Sequence, residues 1–350
     1  MIDLDGSQGE GGGQILRTAL SLSLITRIPF RLHDIRAGRE SPGLAPQHLA
    51  CVLAAAAIGR ARLEDAKLRS ERITFVPAGL APGRYRFDIG TAGATGLLSQ
   101  TVLLPLALAG SPSEVYLTGG SHVPHSPTFH YLERCYLPAL AAMGLAARAW
   151  LPAAGFYPRG GGRVRCAVEP LSRPLAPLDW RERGAVLDLS GLSLIAGGLP
   201  GHIAQRQKRR AEARLAGHGP AADIELAELP ALDRGTMLLL CAAFSAGRAC
   251  ATALGERGKP AERVADEAAD ELLTVLGGGA SVDDHLSDQL LLPMALAAGT
   301  SHLRLARVTL HFTTNVKVIK AFLPAVIELE GRPGGPILAR ITGTGQAPMV

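Results

Sequence analysis

The segments Gln14-Ile-Leu-Arg-Thr-Ala-Leu-Ser-Leu-Ser-Leu24, Gln100-Thr-Val-Leu-Leu-Pro-Leu-Ala-Leu-Ala-Gly110 and Gln289-Leu-Leu-Leu-Pro-Met-Ala-Leu-Ala-Ala-Gly299 decide the fold. The second and third share one pattern almost residue for residue, and the first shares its opening glutamine and its apolar run. Each leads into a strand-like stretch, Pro29-Phe-Arg-Leu32, Glu114-Val-Tyr-Leu117 or His302-Leu-Arg-Leu305, and then a polar or Gly/Pro-containing loop. A second helix is predicted after each loop, beginning near Gln47, Thr128 and Thr314. Helices recurring beside strands in this order predict an α/β fold of the α+β type, built from three related units.

Spacing locates an insertion. Gln100 follows Gln14 by 86 residues, whereas Gln289 follows Gln100 by 189. The excess, roughly 100 residues, is the size of a small domain. It is placed at 183–278, after Gly160-Gly-Gly162 and the proline-rich stretch Pro170 to Pro177. Inside it, Ala185-Val-Leu-Asp-Leu189 reads as a strand and His202 to Ala216 as a basic helix. Ile224 to Leu229 alternates with period two, Met237 to Leu254 reads as a hairpin, and a helix spans Pro260 to Gly277. The remaining residues, 1–182 and 279–350, form the large domain.

Composition narrows the function. Of 350 residues, 47% are apolar and 19% charged, which provides a core and argues against disorder. Aromatics at 4% weigh against RNA held mainly on stacked rings, and a net charge of +5 is compatible with a nucleotide or nucleic-acid partner. Five basic residues are lysine and the rest arginine, the residue suited to bidentate phosphate contacts. Cys51, Cys135, Cys166, Cys241 and Cys250 are odd in number and never in a C-x-x-C pair, which reads as a reducing compartment and no zinc site. With no signal peptide and no long apolar span evident, a soluble, cytoplasmic protein is expected.

Five glycines (Gly6, Gly9, Gly11, Gly12, Gly13) precede the first helix. Such a loop brings backbone close to an anion at a helix N-terminus, or it is a flexible turn. It matches neither the P-loop, lacking Lys-Ser/Thr, nor G-x-G-x-x-G, since Gln14 stands where the third glycine belongs. His311 is read at the end of the strand Leu303–Leu310, just before Thr313-Thr314-Asn315, a position suited to meeting a phosphate. His122, His125 and His130 lack a neighbouring carboxylate or cysteine at ligand spacing and read as solvent-exposed loop residues. Asp283, Asp284 and Asp288 read as helix-dipole capping. Arg36 and Arg39 are a surface pair or an anion clamp.

Together these stretches closely resemble the RNA 3′-terminal phosphate cyclase family. The matches are Gly6-Ser-Gln-Gly-Glu-Gly-Gly-Gly-Gln-Ile-Leu-Arg17, Ile35-Arg-Ala-Gly-Arg39, Pro42-Gly-Leu-Ala-Pro-Gln-His48, and Gly93-Ala-Thr-Gly96 with Gln100. They continue with Gly155-Phe-Tyr-Pro-Arg-Gly-Gly-Gly162, Ser287-Asp-Gln289 and His311-Phe-Thr-Thr-Asn315. The resemblance implies three two-helix, four-stranded units with a smaller α/β insert before the third. It also implies a ligase-class activity in RNA processing: ATP-dependent conversion of an RNA 3′-phosphate to a 2′,3′-cyclic phosphate, through a covalent histidine–AMP and an RNA-adenylate. His311 matches the nucleophile. Gln100, Pro127 and His285, Leu286, Ser287, Asp288 and Gln289 match ATP-binding positions. Arg17, Arg36, Arg39 and Gln47 match positions that hold ATP or RNA phosphates, and Glu10 matches a ligand for Mg²⁺ or Mn²⁺. His285 departs from the family pattern, standing where tyrosine is expected. The implied partners are ATP and RNA with a 3′-phosphate, with no membrane and no obligate protein partner.

Two alternatives stand beside this reading. A cyclase-like RNA-binding or ribosome-assembly factor has the same architecture without the nucleophile, and small-molecule transferases are built on related repeats. Retention of His311 with Glu10 and Arg17 argues for the enzyme. The basic stretch Arg206 to Arg210 is either a face for RNA or a solvated helix surface.

Overall fold

The computed structural model describes residues 1–9, 11–331 and 335–348. Strands β1 (Ile2–Asp5), β2 (Phe30–His33), β3 (Arg62–Glu64) and β4 (Ile73–Val76) form a sheet in the order β1-β2-β4-β3. Helix α1 (Gln14–Thr26) crosses between β1 and β2, which lets that pair run parallel. Helix α2 (Pro46–Gly59) opens on a proline, whose missing N–H matters least in a first turn, and stops at Arg60 in a left-handed conformation.

A second sheet, β5-β6-β8-β7, joins β5 (Arg84–Asp88), β6 (Ser113–Gly119), β7 (Ala147–Ala153) and β8 (Gly162–Val168). Helix α3 (Thr95–Ala107) connects β5 to β6. Then α4 (Phe129–Tyr131), a π-helical turn Leu132–Tyr136 and α5 (Leu137–Ala142) run on without a break. On β6, Val115 and Leu117 face the core while Glu114, Tyr116 and Thr118 face outward, as period-two alternation requires. A third sheet is begun by β9 (Asp179–Trp180), which later strands complete.

The fourth sheet comes next in the chain: β10 (Val186–Ala196), β11 (Asp223–Leu229), β12 (Gly235–Phe244) and β13 (Gly247–Leu254), in the order β11-β10-β12-β13. Helices α6 (His202–Leu215) and α7 (Ala261–Gly278) pack on one face, around Leu189, Leu238, Leu240, Ala265 and Leu272. The opposite face of β10 and β12, with Leu192, Leu194, Met237 and Leu239, belongs to the main core. Both faces are therefore buried, which accounts for the nearly unbroken apolar runs of these strands. Cys241 and Cys250 stand opposite each other across β12 and β13 and form a disulfide, while Cys51, Cys135 and Cys166 are buried and free. The reading of the cysteines as those of a reducing compartment did not anticipate this pair. The hairpin register, invisible in residue spacing, brings the two together.

Helices α8 (Asp284–Gln289) and α9 (Leu291–Leu296) follow, then β14 (Thr300–Leu305), α10 (Leu310–Phe322), β15 (Val326–Gly331) and β16 (Ile337–Thr342). The third sheet is ordered β15-β16-β14-β9. One pattern of directions recurs: β1 and β2, β5 and β6, and β9 and β14 are parallel, while β4, β8 and β16 each lie antiparallel between two neighbours.

Four expected positions shift. Gln14 opens α1, but Gln100 lies within α3 and Gln289 ends α8, with the third apolar run broken at Leu290. α2 begins at Pro46 and α4 follows its cap Thr128, close to expectation, whereas α10 begins at Leu310, not near Thr314. β14 ends at Leu305, so His311 lies in the first turn of α10 and not at a strand end. Thr309 sets this start, since its hydroxyl accepts the Phe312 N–H at 3.0 Å.

Candidate active site

Two glycines show what the loop before α1 is for. A β-carbon on Gly9 (φ +64°) would fall 2.1 Å from Thr314 Oγ1, and one on Gly13 would fall 2.1 Å from His48 Nε2 and 2.7 Å from an Arg17 nitrogen. The loop is thus clasped between α10 and α2, closer than any side chain permits. Polar links then tie α1 to its neighbours. Thr18 Oγ1 donates to Asn315 Oδ1 (2.7 Å), Asn315 Nδ2 donates to the Asp288 carbonyl (3.1 Å), and Ser21 Oγ donates to the Thr101 carbonyl (2.8 Å).

At the centre, Nδ1 of His311 is hydrogen-bonded to Oε1 of Gln14. An amide oxygen accepts only, so Nδ1 is the donor in this bond. Gln14 is a site residue that sequence reading missed, although its place at the missing third glycine had marked it.

Basic groups gather on one side of this pair. His48 is 5% exposed, and its Nδ1 accepts the Ala45 N–H at 3.3 Å. Burial, then the charges of Arg17 and Arg36, push its pKa down to about 3, so it is neutral beside two arginines. Arg36 donates to the Gly43 carbonyl at 2.9 Å; burial first, then Arg39, lowers its pKa. Gln47 Oε1 accepts the Ala94 N–H at 3.1 Å, joining α2 to the start of α3. Arg17, Arg36 and Arg39 are therefore neighbours, and His48 is a further member of the group.

Two clefts flank the Gln14–His311 pair, Gln14 lining one and His311 the other. The smaller is lined by Gln14, Arg17, Gln100, Gln289 and Asn315 among others. In it, Gln100 Nε2 and Gln289 Oε1 are buried without a hydrogen-bond partner among the described residues. Such orphans cost about 1–3 kcal/mol each, which a ligand presenting both an acceptor and a donor relieves. The larger cleft, about 780 Å³, lies between α7, α8 and the start of α10 and includes Glu271, His285, Asp288 and His311. That volume suits a small-molecule ligand. Asp288 lines both clefts.

Other expected residues lie outside these walls. Leu286 is fully buried and the Ser287 hydroxyl donates to the Asp284 carbonyl at 2.7 Å, so neither side chain lines a cleft. Pro127 packs over Gly96 of α3 and also lines neither. Glu10 lies outside the described residues. Among those described, the metal-ligand types that come together are Asp5, His33 and Asp34, with ligand atoms within 4.8 Å of one another. They lie at the base of the glycine loop, where Asp5 is already engaged by the Ser7 hydroxyl at 2.6 Å.

The acidic stretch before α8 is a cap, as expected, and more. Asp283 is 2% exposed and accepts the Leu286 N–H (2.8 Å), the Tyr131 hydroxyl (2.7 Å) and the Cys250 N–H (2.9 Å). Glu271 on α7 gave no sequence signal. Its carboxyl is pushed up to about 7, chiefly by burial and further by Asp283 and Asp284, while His285 and Arg307 oppose.

The loop histidines are a correction. His122 and His130 are 1% and 8% exposed, not in solvent. Ser121 Oγ, His122 and His130 form a chain with steps of 2.8 and 2.9 Å, and His122 stacks on Phe156, a residue some thirty positions away in sequence. Only His125 of the three is exposed. Three arginines of the basic helix α6 are paired with carboxylates of α7. Arg206 pairs with Glu262 (2.6 Å), Arg210 with Asp266 (2.7 Å), and Arg214 with Asp266 and Asp270 (2.8 and 2.5 Å).

A family model described as RNA 3′-terminal phosphate cyclase matches residues 8–329. The chain is 45% identical over 350 residues to the RNA 3′-terminal phosphate cyclase of Methylococcus capsulatus, covering 98% of this chain and 97% of that one. It is 44% identical over 336 residues to the protein of that description in Gloeothece citriformis (94% and 95% covered). The corresponding figure for Caldivirga maquilingensis is 45% over 336 residues (94% of each).

Proposed function

The chain belongs to the RNA 3′-terminal phosphate cyclase family and is an enzyme of RNA 3′-phosphate cyclisation; we propose that it works through a covalent adenylate on His311. The observation that carries this reading is the Gln14–His311 bond between the two clefts. With Nδ1 donating to Gln14, Nε2 is the nitrogen that would attack phosphorus.

Three displacements complete the reaction. Nε2 forms a bond to the α-phosphorus of ATP, and the bond to the β-phosphate oxygen breaks, releasing pyrophosphate. An oxygen of the RNA 3′-phosphate then takes the adenylyl group, and the phosphorus–nitrogen bond breaks. Finally the adjacent 2′-hydroxyl attacks the RNA phosphorus, loses its proton, and AMP departs. The adenylate is what gives an unactivated phosphate monoester a leaving group.

Position supports the other roles. Arg17, Arg36 and Arg39 would stabilise charge on the transferring phosphates. Gln100 and Gln289 would direct their orphaned amide atoms to the nucleotide, and His285 and Asp288 would line its cleft. Glu10 would hold Mg²⁺, which screens phosphate charge when bound. In support of that role, Glu10→Ala should raise the Mg²⁺ concentration for half-maximal adenylylation about tenfold; an unchanged titration removes Glu10 from the metal.

The same reading takes the first three sheets as repeats in a domain of residues 1–182 and 279–350, with 183–278 inserted. Their shared pattern of strand directions supports it. The reaction is tested by following a 3′-phosphorylated oligonucleotide: with ATP its terminal phosphate should become resistant to phosphatase. Persistent phosphatase sensitivity would refute cyclisation.

Gln14→Met keeps volume and removes the acceptor. Adenylylation should slow roughly 10–100-fold as the imidazole loses its fixed tautomer, with little change in the KM for ATP. A full-rate Gln14→Met protein would show that the bond does not orient the nucleophile.

A further inference from the structure

The outward face of the second sheet carries a row that the reaction leaves unused: Arg86, Tyr116, Arg165 and Trp150, directly paired across β5, β6, β8 and β7. Guanidinium groups sit over the rings. The Arg86 guanidinium lies 4.7 Å from the Tyr116 ring centre, and that of Arg165 lies 4.6 Å from the Trp150 ring centre. Trp150 remains 40% exposed. Glu114 steadies the row, bonding the Arg165 guanidinium and accepting the Tyr116 hydroxyl at 2.8 Å.

Charge on this face is one-sided. Arg84, Arg86, Arg148, Arg163 and Arg165 face two carboxylates, Glu114 and Asp88. Glu114 is committed to the arginines beside it, and Asp88 accepts the Gly90 N–H at 2.8 Å. Among the described residues no carboxylate pairs with Arg86, Arg148 or Arg163. Arginine planes alternating with aromatic rings on an open sheet are the surface on which unpaired bases stack while cations meet the phosphates.

The face is also continuous with the site. The strand ends Asp88, Thr118 and Arg163 form the next row, about 7 Å on at two residues of strand rise. Beyond β5 and β6 the Gly120 N–H donates to the Gly93 carbonyl, and the Ala94 N–H donates to Gln47 Oε1.

We propose that this sheet face binds the single-stranded body of the RNA substrate, upstream of the 3′-phosphate delivered to His311. The inference rests on the cyclase reading and adds where the rest of the RNA lies. The test compares a long single-stranded RNA 3′-phosphate with a trinucleotide 3′-phosphate as substrates of Arg86→Ala/Trp150→Ala protein. The KM for long RNA should rise about tenfold or more, and its salt dependence should weaken, because a stack and a phosphate contact are lost. The kcat, the KM for the trinucleotide and self-adenylylation with ATP alone should stay at wild-type values. Trp150→Phe with Arg86 intact should keep most of the long-RNA affinity. An unchanged KM for long RNA overturns the proposal, as expected if the face docks a protein instead. An equal rise on both substrates overturns it too. Because self-adenylylation needs no RNA, failure of the His311 reading is distinguishable: it would appear as unlabelled wild-type protein.

Discussion

His311→Asn protein incubated with ATP labelled at the α-phosphate should emerge from denaturation without label, whereas wild type should retain it. The wild-type label should be lost in acid, as a phosphoramidate is. Cyclisation should fall at least about 10³-fold, the scale seen when a covalent nucleophile is removed. The fold should survive. His311 is a partly exposed residue in the first turn of α10, and the turn is secured independently by Thr309. A change in stability within about 1 kcal/mol is expected for such a substitution. Full labelling of His311→Asn would end the assignment, and an unfolded variant would make the residue structural.

The second large effect is acid lability. His48, His122 and His130 are buried imidazoles whose pKa values lie below the ordinary 6.5: about 3 for His48, about 4 for His130, and well below 6.5 for His122. Burial is the first cause in each. The native chain therefore refuses protons that the unfolded chain accepts once pH falls below about 6.5, and each site removes about 1.4 kcal/mol of stability per pH unit. The three act in the same direction, so stability should fall as pH drops from 6.5 to 5. Glu271 acts in the opposite sense. With its folded value raised to about 7 from 4.5, stability is lost as pH rises through that interval. Its side chain is 41% exposed, so its opposing effect is smaller. Urea unfolding at pH 7.5 and pH 5 should show the net loss, and Glu271→Gln should stabilise the protein at the higher pH. Equal midpoints at the two pH values would contradict the burial of these histidines.

How much was legible follows from the range over which each signal acts. The apolar helices and the elements of 183–278 were readable because their patterns are local, down to the alternation of Ile224–Leu229 and the hairpin near Ser245. The start of α10 was misplaced because Val308-Thr309-Leu310 continues an apolar, β-branched run, and a capping threonine inside it looks like strand. Burial of His122 and His130 was unreadable because the covering Phe156 arrives from another strand connection. The disulfide depended on register, and the Glu271 shift on an α7 surface packed beside α8. Of the site, the His311 motif and the glycine loop were visible as separate strings. Their meeting through Gln14, and the closeness of Arg17, Arg36 and His48, exist only in three dimensions.

The bonds Gln14–His311 and Thr18–Asn315 each span 297 positions of sequence. During synthesis the helix carrying Gln14 and Arg17 emerges roughly half a minute before His311 at 5–20 residues per second. Contacts this distant also form late in folding, because loop closure must precede them. The candidate site thus assembles only after α10 has been made. A chain stalled before α10 lacks the partners of both Gln14 and Thr18.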